Sequence, residues 1–295
     1  LSILIFKNNS NIDVMRIPIF TIAVFLFSGT FIHTVAQSNL PQLPNSNDDN
    51  FVVIAHRGAS AYAPENTHSA FKMAIEMKAE MIELDLLLSK DGIPVVIHDE
   101  LLKRTTGEKG NVSDYTLAEL KEMETGAWFN EQFKGEPFPT LEEVLAYTKD
   151  VIAVNIEIKH DAVTDTAQDG IVDKALQLVY QAGMQNQVIF SSFDYRVMEH
   201  LNELDPNIPK ALLYEKRQSG SLSPKQLVEK YAVDAFNCSY KELTDEWISE
   251  LTSNNIPFFI YTVNEPELME KITEAGARGI FSDYPDVLKE VVENM

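Results

Sequence analysis

Eight short runs of aliphatic and β-branched residues, at 51–55, 81–85, 152–158, 188–191, 210–214, 235–238, 257–262 and 279–282, alternate along this chain with stretches of helical apolar period. The helical stretches fall at 65–77, 141–147, 166–181, 195–204, 224–231, 244–253, 267–275 and 285–292. Eight β segments alternating with eight α segments predict the α/β class and a (β/α)8 barrel of TIM type, whose working residues sit at the C-terminal ends of the strands. A doubly wound open sheet alternates in the same way. Here, however, polar residues recur at the ends of at least five of the runs, which a sheet with a single switch-point crevice does not require.

The barrel expectation covers residues 51–295, with one irregularity. Between the second run and the third lie a hairpin return and about fifty further residues, including Arg104-Thr105-Thr106-Gly107 and Trp128-Phe129. A connection that long predicts a small insertion, about 99–140, over the barrel mouth. Trp128, Phe129 and Phe133 are read as packing that cap onto the barrel rather than as facing a substrate.

The first 36 residues read as leader rather than fold. Met15 is a candidate start, followed by Arg16, an apolar run over 19–27, and Thr34-Val35-Ala36 before Gln37. This is the pattern of a signal peptide cleaved after Ala36, and it predicts export to a periplasm or the exterior with no stable membrane insertion afterwards. Ser28, Gly29, Thr30 and His33 interrupt the apolar run and weigh against an uncleaved anchor. Residues 37–50, rich in Pro, Asn and Asp, read as a flexible tether. A single cysteine, Cys238, excludes an internal disulfide.

The formal net charge of the whole chain is −21, and the leader carries Lys7, Arg16 and Asp13, so the remainder carries −22. That excess argues against nucleic acid as a partner. It also means that an anionic ligand needs local cations, or a metal, to enter.

The stretch 81–99, MIELDLLLSKDGIPVVIHD, concentrates the chemistry. Period-2 spacing puts Glu83 and Asp85 on one side of a strand, and Asp91-Gly92 predicts a tight hairpin. With a two-residue loop, Lys90 pairs Ile93 and Asp85 pairs His98. The same parity places Asn155, Glu157 and Lys159 together on the third run. Glu157 with Lys159 could be a self-neutralising ion pair. With Glu83 and Asp85 close by, three carboxylates instead suggest a site for one hard divalent cation, Ca2+ or Mg2+, rather than zinc. His56 and His98 are then free as acid and base, and Arg57 and Lys159 supply donors suited to a phosphate. The chemistry these parts describe is metal-assisted cleavage of a phosphoryl ester.

The ordered set HRG…PENT, E-x-D, DG…HD, E-x-K, SF, TVN and SDYP resembles the glycerophosphodiester phosphodiesterase family over residues 51–292. The resemblance implies that Glu83, Asp85 and Glu157 bind the metal, that His56 and His98 are general base and acid, and that Arg57 and Lys159 grip the phosphate. It implies that Phe193 is an apolar contact to glycerol. Tyr261 stands where the family commonly has tryptophan, in the block before Thr262-Val263-Asn264, and Asn66, Asn264 and Asp283 are read as orienting residues. The implied reaction converts sn-glycerol-3-phosphodiesters to glycerol 3-phosphate and an alcohol. One histidine deprotonates the glycerol 2-hydroxyl for attack on phosphorus, the other protonates the leaving alcohol, and water opens the cyclic phosphate. Two alternatives remain at this stage: a lysophospholipase D on the same scaffold, and a non-catalytic binder of polyol phosphates.

Overall fold

The computed structural model describes residues 40–44, 51–164 and 169–295. The leader, its candidate start and cleavage points, and the rest of the tether lie outside the described residues, as does Thr166, the expected start of the third helix. Among the described residues no helix is long and apolar enough to cross a membrane.

All eight predicted runs are strands. In chain order β1 is Val52–Ala55, β2 Met81–Leu88, β3 Pro94–Val96, β4 Ala153–Ile158, β5 Val188–Ser192, β6 Lys210–Leu213, β7 Ala235–Ser239, β8 Phe258–Tyr261 and β9 Gly279–Ser282. All except β3 run parallel in the order β1-β9-β8-β7-β6-β5-β4-β2, and β1 pairs β2 to close the barrel. The expected (β/α)8 architecture is therefore observed. The helices are α1 His68–Glu76, α2 Lys103–Thr106, α3 Leu117–Leu120, α4 Leu141–Thr148, α5 Ile171–Ala182, α6 Tyr195–Leu204, α7 Lys216–Ser219, α8 Pro224–Tyr231, α9 Asp245–Ser253, α10 Pro266–Glu274 and α11 Pro285–Glu293.

Parity along the strands divides the core in two. Val52, Ile54, Met81, Ala153, Ile189, Ala211, Ala235, Phe259 and Phe281 fill the barrel interior, while Val53, Ile82, Val154, Phe190, Phe236 and Ile280 face the helices. Because side chains alternate with period 2, continuing the inward set toward the strand ends reaches residues 56, 83, 85, 157, 159, 193, 261 and 283. The hydrophobic floor and the polar mouth are one pattern read along each strand.

Three expectations are corrected. Helix α1 begins at His68, with Thr67 as its cap accepting from the Ala70 N–H, not at residue 65. Asn66 stands at φ +57°, outside helical geometry, and this frees Glu65 from the first turn. Helix α5 begins only at Ile171, with Asp169 at φ +60° ahead of it. The segment read as a flexible tether is docked over 40–44. Pro41 is buried, Leu40 and Leu43 pack against the barrel's interior cluster, and the Gln42 N–H donates to Asn186 O at 2.7 Å. Apolar side chains spaced within a Pro-rich stretch can seat on a barrel floor without any helical or strand period, so composition alone did not reveal them.

The hairpin register also differs from the expected one. Leu86 pairs Val96 and Leu88 pairs Pro94, so Asp85 lies opposite Ile97, whose N–H donates to Asp85 O at 3.0 Å. The turn has three residues, not two. Ser89 N donates to Ile93 O, Ser89 Oγ donates to Asp91 and accepts from Ile93 N, and Gly92 takes φ +75°. A three-residue loop with Gly in the left-handed region is the second common hairpin closure. The Ser89 hydroxyl selects it here by capping the loop internally. The slip of one residue moves His98 off the ladder and into the segment that follows β3.

Candidate active site

The site is assembled at the C-terminal mouth of the barrel, from the ends of β1, β2, β4, β5, β8 and β9 and from the loop after β3. Strands β2 and β4 pair Asp85 with Glu157 and Glu83 with Asn155. Glu83, Asp85 and Glu157 each offer an oxygen within 4.8 Å of the others, and Glu83 and Asp85 are only 3% and 1% exposed. Burial, with repulsion from neighbouring carboxylates, pushes Glu83 and Glu157 above the usual range. Burial would raise Asp85 too, but Lys159, Arg57 and His98 hold it below. Three carboxylates this close cannot all ionise comfortably with the protein's own cations. An all-oxygen, convergent donor set, with two of its three members buried, fits a hard divalent cation.

Two cations border the cluster. Lys159 Nζ lies 2.7 Å from Glu157 and 3.3 Å from Asp85, so the self-neutralising pair exists, but within a larger group. Arg57 occupies a left-handed position, φ +56°, ahead of Gly58 at +83°. Its N–H donates to Glu83 Oε2 at 2.8 Å, Nη1 donates to Glu65 at 2.9 Å, and Nε stands 3.4 Å from Asp85. Two consecutive residues of positive φ turn the chain sharply enough that the backbone and side chain of Arg57 both reach the cluster. Asn66, also left-handed, clamps Asp85: Nδ2 donates to Oδ2 at 2.8 Å and Oδ1 accepts from the Asp85 N–H at 3.2 Å.

Both histidines are oriented through Nδ1. His56 Nδ1 is 2.7 Å from Asp283 Oδ1, and Asp283 also accepts from Ser60 Oγ and from Asn264 Nδ2 at 2.6 Å. Burial alone would raise the Asp283 carboxyl, yet the contacts with His56, Asn264 and Ser60 bring it down to about 2. His98 Nδ1 is 2.6 Å from Asp99 Oδ1. Arg104 foremost, with help from His98, lowers Asp99 to about 2. An ionised carboxylate only accepts, so Nδ1 carries the proton in each ring and Nε2 is left for substrate.

His56, Arg57, Glu83, His98, Glu157 and Lys159 line one cavity of about 230 Å³, whose opposite wall is apolar: Phe193, Leu213, Tyr261 and Phe281. Phe193 and Tyr261 meet edge to face at 5.8 Å. Eight of the nine site residues named from sequence thus border the cavity, and the ninth, Asp85, lies within the carboxylate cluster. His98 reaches it despite the altered register. Trp128, Phe129 and Phe133 are not among the cavity's lining residues; they stack edge to face on one another in the insertion.

Sequence reasoning passed over Glu65, Asp99 and Arg104. Adjacency to His98 was the available signal for Asp99. Nothing local pointed to the other two, because their roles depend on contacts 39 residues apart.

A sequence model described as the glycerophosphoryl diester phosphodiesterase family matches residues 56–287. A glycerophosphodiester phosphodiesterase of Caldanaerobacter subterraneus subsp. tengcongensis is 39% identical over 243 residues, covering 82% of this chain and 97% of that protein. One from Bacillus subtilis is 33% identical over 290 residues, covering 94% and 97%. Among solved structures, an Oleispira antarctica phosphodiesterase in complex with the product sn-glycerol-3-phosphate superposes with TM-score 0.75 at 27% identity, covering 81% of this chain and 96% of that one. A glycerophosphodiester phosphodiesterase of Thermotoga maritima does so with TM-score 0.64 at 32% identity, covering 81% and 98%.

Proposed function

The chain belongs to the glycerophosphoryl diester phosphodiesterase family and is an enzyme of that family, and from that premise we propose that it hydrolyses sn-glycerol-3-phosphodiesters by histidine acid–base catalysis with a divalent cation. The observation that carries the reading is the pairing of His56 and His98, each backed through Nδ1 by a carboxylate, across one cavity from an apolar wall and beside three convergent carboxylates, two of them buried.

In this reading the glycerol carbons lie on Phe193 and Tyr261, and Arg57 and Lys159 donate to the phosphoryl oxygens. One histidine takes the proton of the glycerol 2-hydroxyl at Nε2 as that oxygen bonds to phosphorus. The other, entering the step protonated at both ring nitrogens, gives its Nε2 proton to the departing alcohol oxygen as its bond to phosphorus breaks. Water then opens the cyclic phosphate with the two roles exchanged, which restores both rings. Asp283 and Asp99 hold the tautomer and steady the charged ring. Glu83, Asp85 and Glu157 would hold the cation, calcium or magnesium, which when bound supplies Lewis-acid stabilisation of charge on the phosphoryl group.

The test is a panel of glycerophosphodiesters, with lysophosphatidylcholine as comparator, scored by glycerol 3-phosphate release. His56→Ala and His98→Ala are each expected to lose about 10²–10⁴-fold in kcat. Near-normal turnover by either variant would sink the acid–base assignment. We also propose export, supported by the pattern over 15–36; secreted protein whose first residue is Gln37 is the expected outcome of amino-terminal sequencing.

A further inference from the structure

Arg104 lies in the insertion, on the short helix α2, with its side chain 41% exposed. Its guanidinium is nonetheless committed on two sides. Nη1 and Nη2 donate to the two oxygens of Glu65 at 2.7 and 2.8 Å, and Nε donates to Asp99 Oδ2 at 2.5 Å. The Arg104 Cζ stands 5.9 Å from the Trp128 ring centre. Each carboxylate spends its remaining capacity on a residue of the site: Glu65 Oε1 accepts from Arg57 Nη1 at 2.9 Å, and Asp99 Oδ1 meets His98 Nδ1 at 2.6 Å.

We propose that Arg104 is a positioning residue, which ties the carboxylate orienting Arg57 to the carboxylate orienting His98 and so holds phosphate grip and proton transfer in one geometry. The proposal rests on the function proposed above. A planar fork with fixed donor directions can engage a carboxylate bidentately and still present Nε to a second acceptor, whereas a lysine ammonium is a single point. Without Arg104, Glu65 keeps only Arg57 as a cationic partner and competes with the phosphate for it, while Asp99 loses the contact that fixes its plane against His98. The first effect belongs to KM and the second to kcat. As exposed ion pairs contribute little to stability, the bridge is expected to act on geometry rather than on folding.

The experiment compares wild type, Arg104→Gln, Arg104→Lys, Asp99→Asn and the double variant Arg104→Gln/Asp99→Asn on glycerophosphocholine, with the Tm of each. Displacement of reacting groups by about an ångström costs on the order of 10²-fold, so Arg104→Gln is expected to lose roughly that in kcat/KM, shared between KM and kcat, with Tm within about 2 °C of wild type. Arg104→Lys should recover little of the loss, and the double variant should have the kcat of Asp99→Asn alone. Activity of Arg104→Gln within twofold of wild type, full rescue by lysine, or multiplying kcat losses in the double variant would each overturn the positioning role. If wild type cleaves no glycerophosphodiester, the functional reading fails instead. The bridge is then judged from a crystal structure of Arg104→Gln, where His98 and Arg57 are expected to leave their positions and unchanged positions refute it.

Discussion

Asp283 shows how much one side chain can organise. It receives the His56 ring, the Ser60 hydroxyl and the Asn264 amide, and Asn264 in turn accepts from the Asp283 N–H and from Ser282 Oγ. The carboxyl is held at about 2 against an unfolded value of 3.8. A group whose pKa is lower in the folded state stabilises the fold above its unfolded value, and that contribution is lost as pH falls through the folded one. The contribution is about 2 kcal/mol at most, because the side chain remains 29% exposed. Urea unfolding of wild type against Asp283→Asn should show the full difference at pH 5 and a shrinking one as pH drops from 4 toward 2. A difference that does not vary with pH would mean that the amide's shape, not its missing charge, is responsible. Parity along the strand made Glu83, Asp85, Glu157 and Lys159 legible from sequence, and the HRG motif after the first run did so for His56. The partners Glu65 and Arg104 were not, since no local period encodes a contact between a β1–α1 loop and a distant insertion.

At the scale of elements, the loop from β1 to α1 carries the most constraint. Gly58 sits at φ +83°, and a Cβ there would stand 2.6 Å from the carbonyl carbon of Ala70, on the first turn of α1. Backbone cannot yield as a flexible side chain would, so Gly58→Ala should cost about 2 kcal/mol or more. It should also lower kcat, because Arg57 and His56 precede it in the same turn. Thermal unfolding and turnover measured on one preparation check both; a variant stable and active as wild type would show that the loop has slack. The β2–β3 hairpin teaches a related lesson. Asp-Gly correctly signals a turn, but the Ser89 hydroxyl lengthens the loop by one residue, and the resulting slip changes every cross-strand partner. His98 escapes the consequence because it lies beyond the last ladder pair.

For the whole molecule the governing fact is charge. A chain of net charge −21 closes a barrel with three convergent carboxylates at its mouth, two of them buried, an arrangement that a bound cation relieves. Exhaustive chelation is expected to abolish activity, with calcium or magnesium restoring it. A ligand that binds only the folded state at 100 times its Kd adds about 2.7 kcal/mol, a rise in Tm on the order of 5–10 °C for a domain this size. Glu157→Gln should shrink that rise. Full activity after chelation, or a Tm indifferent to both ions, would remove the metal site from the mechanism.

The sequence by itself determined the barrel, its eight strands and the residues that face its interior. Alternation with period 2 and the helical period between runs are local rules, and each strand obeys them regardless of its neighbours. Tertiary structure decided what depends on distance in space: the hairpin register set by a serine hydroxyl, the seating of Leu40 and Leu43 on the barrel floor, the late start of α1 that turns Glu65 toward Arg57, and the bridge through Arg104. Hydrogen bonds and packing between residues far apart in the chain leave no periodic trace in the sequence, because their geometry exists only once the barrel has closed.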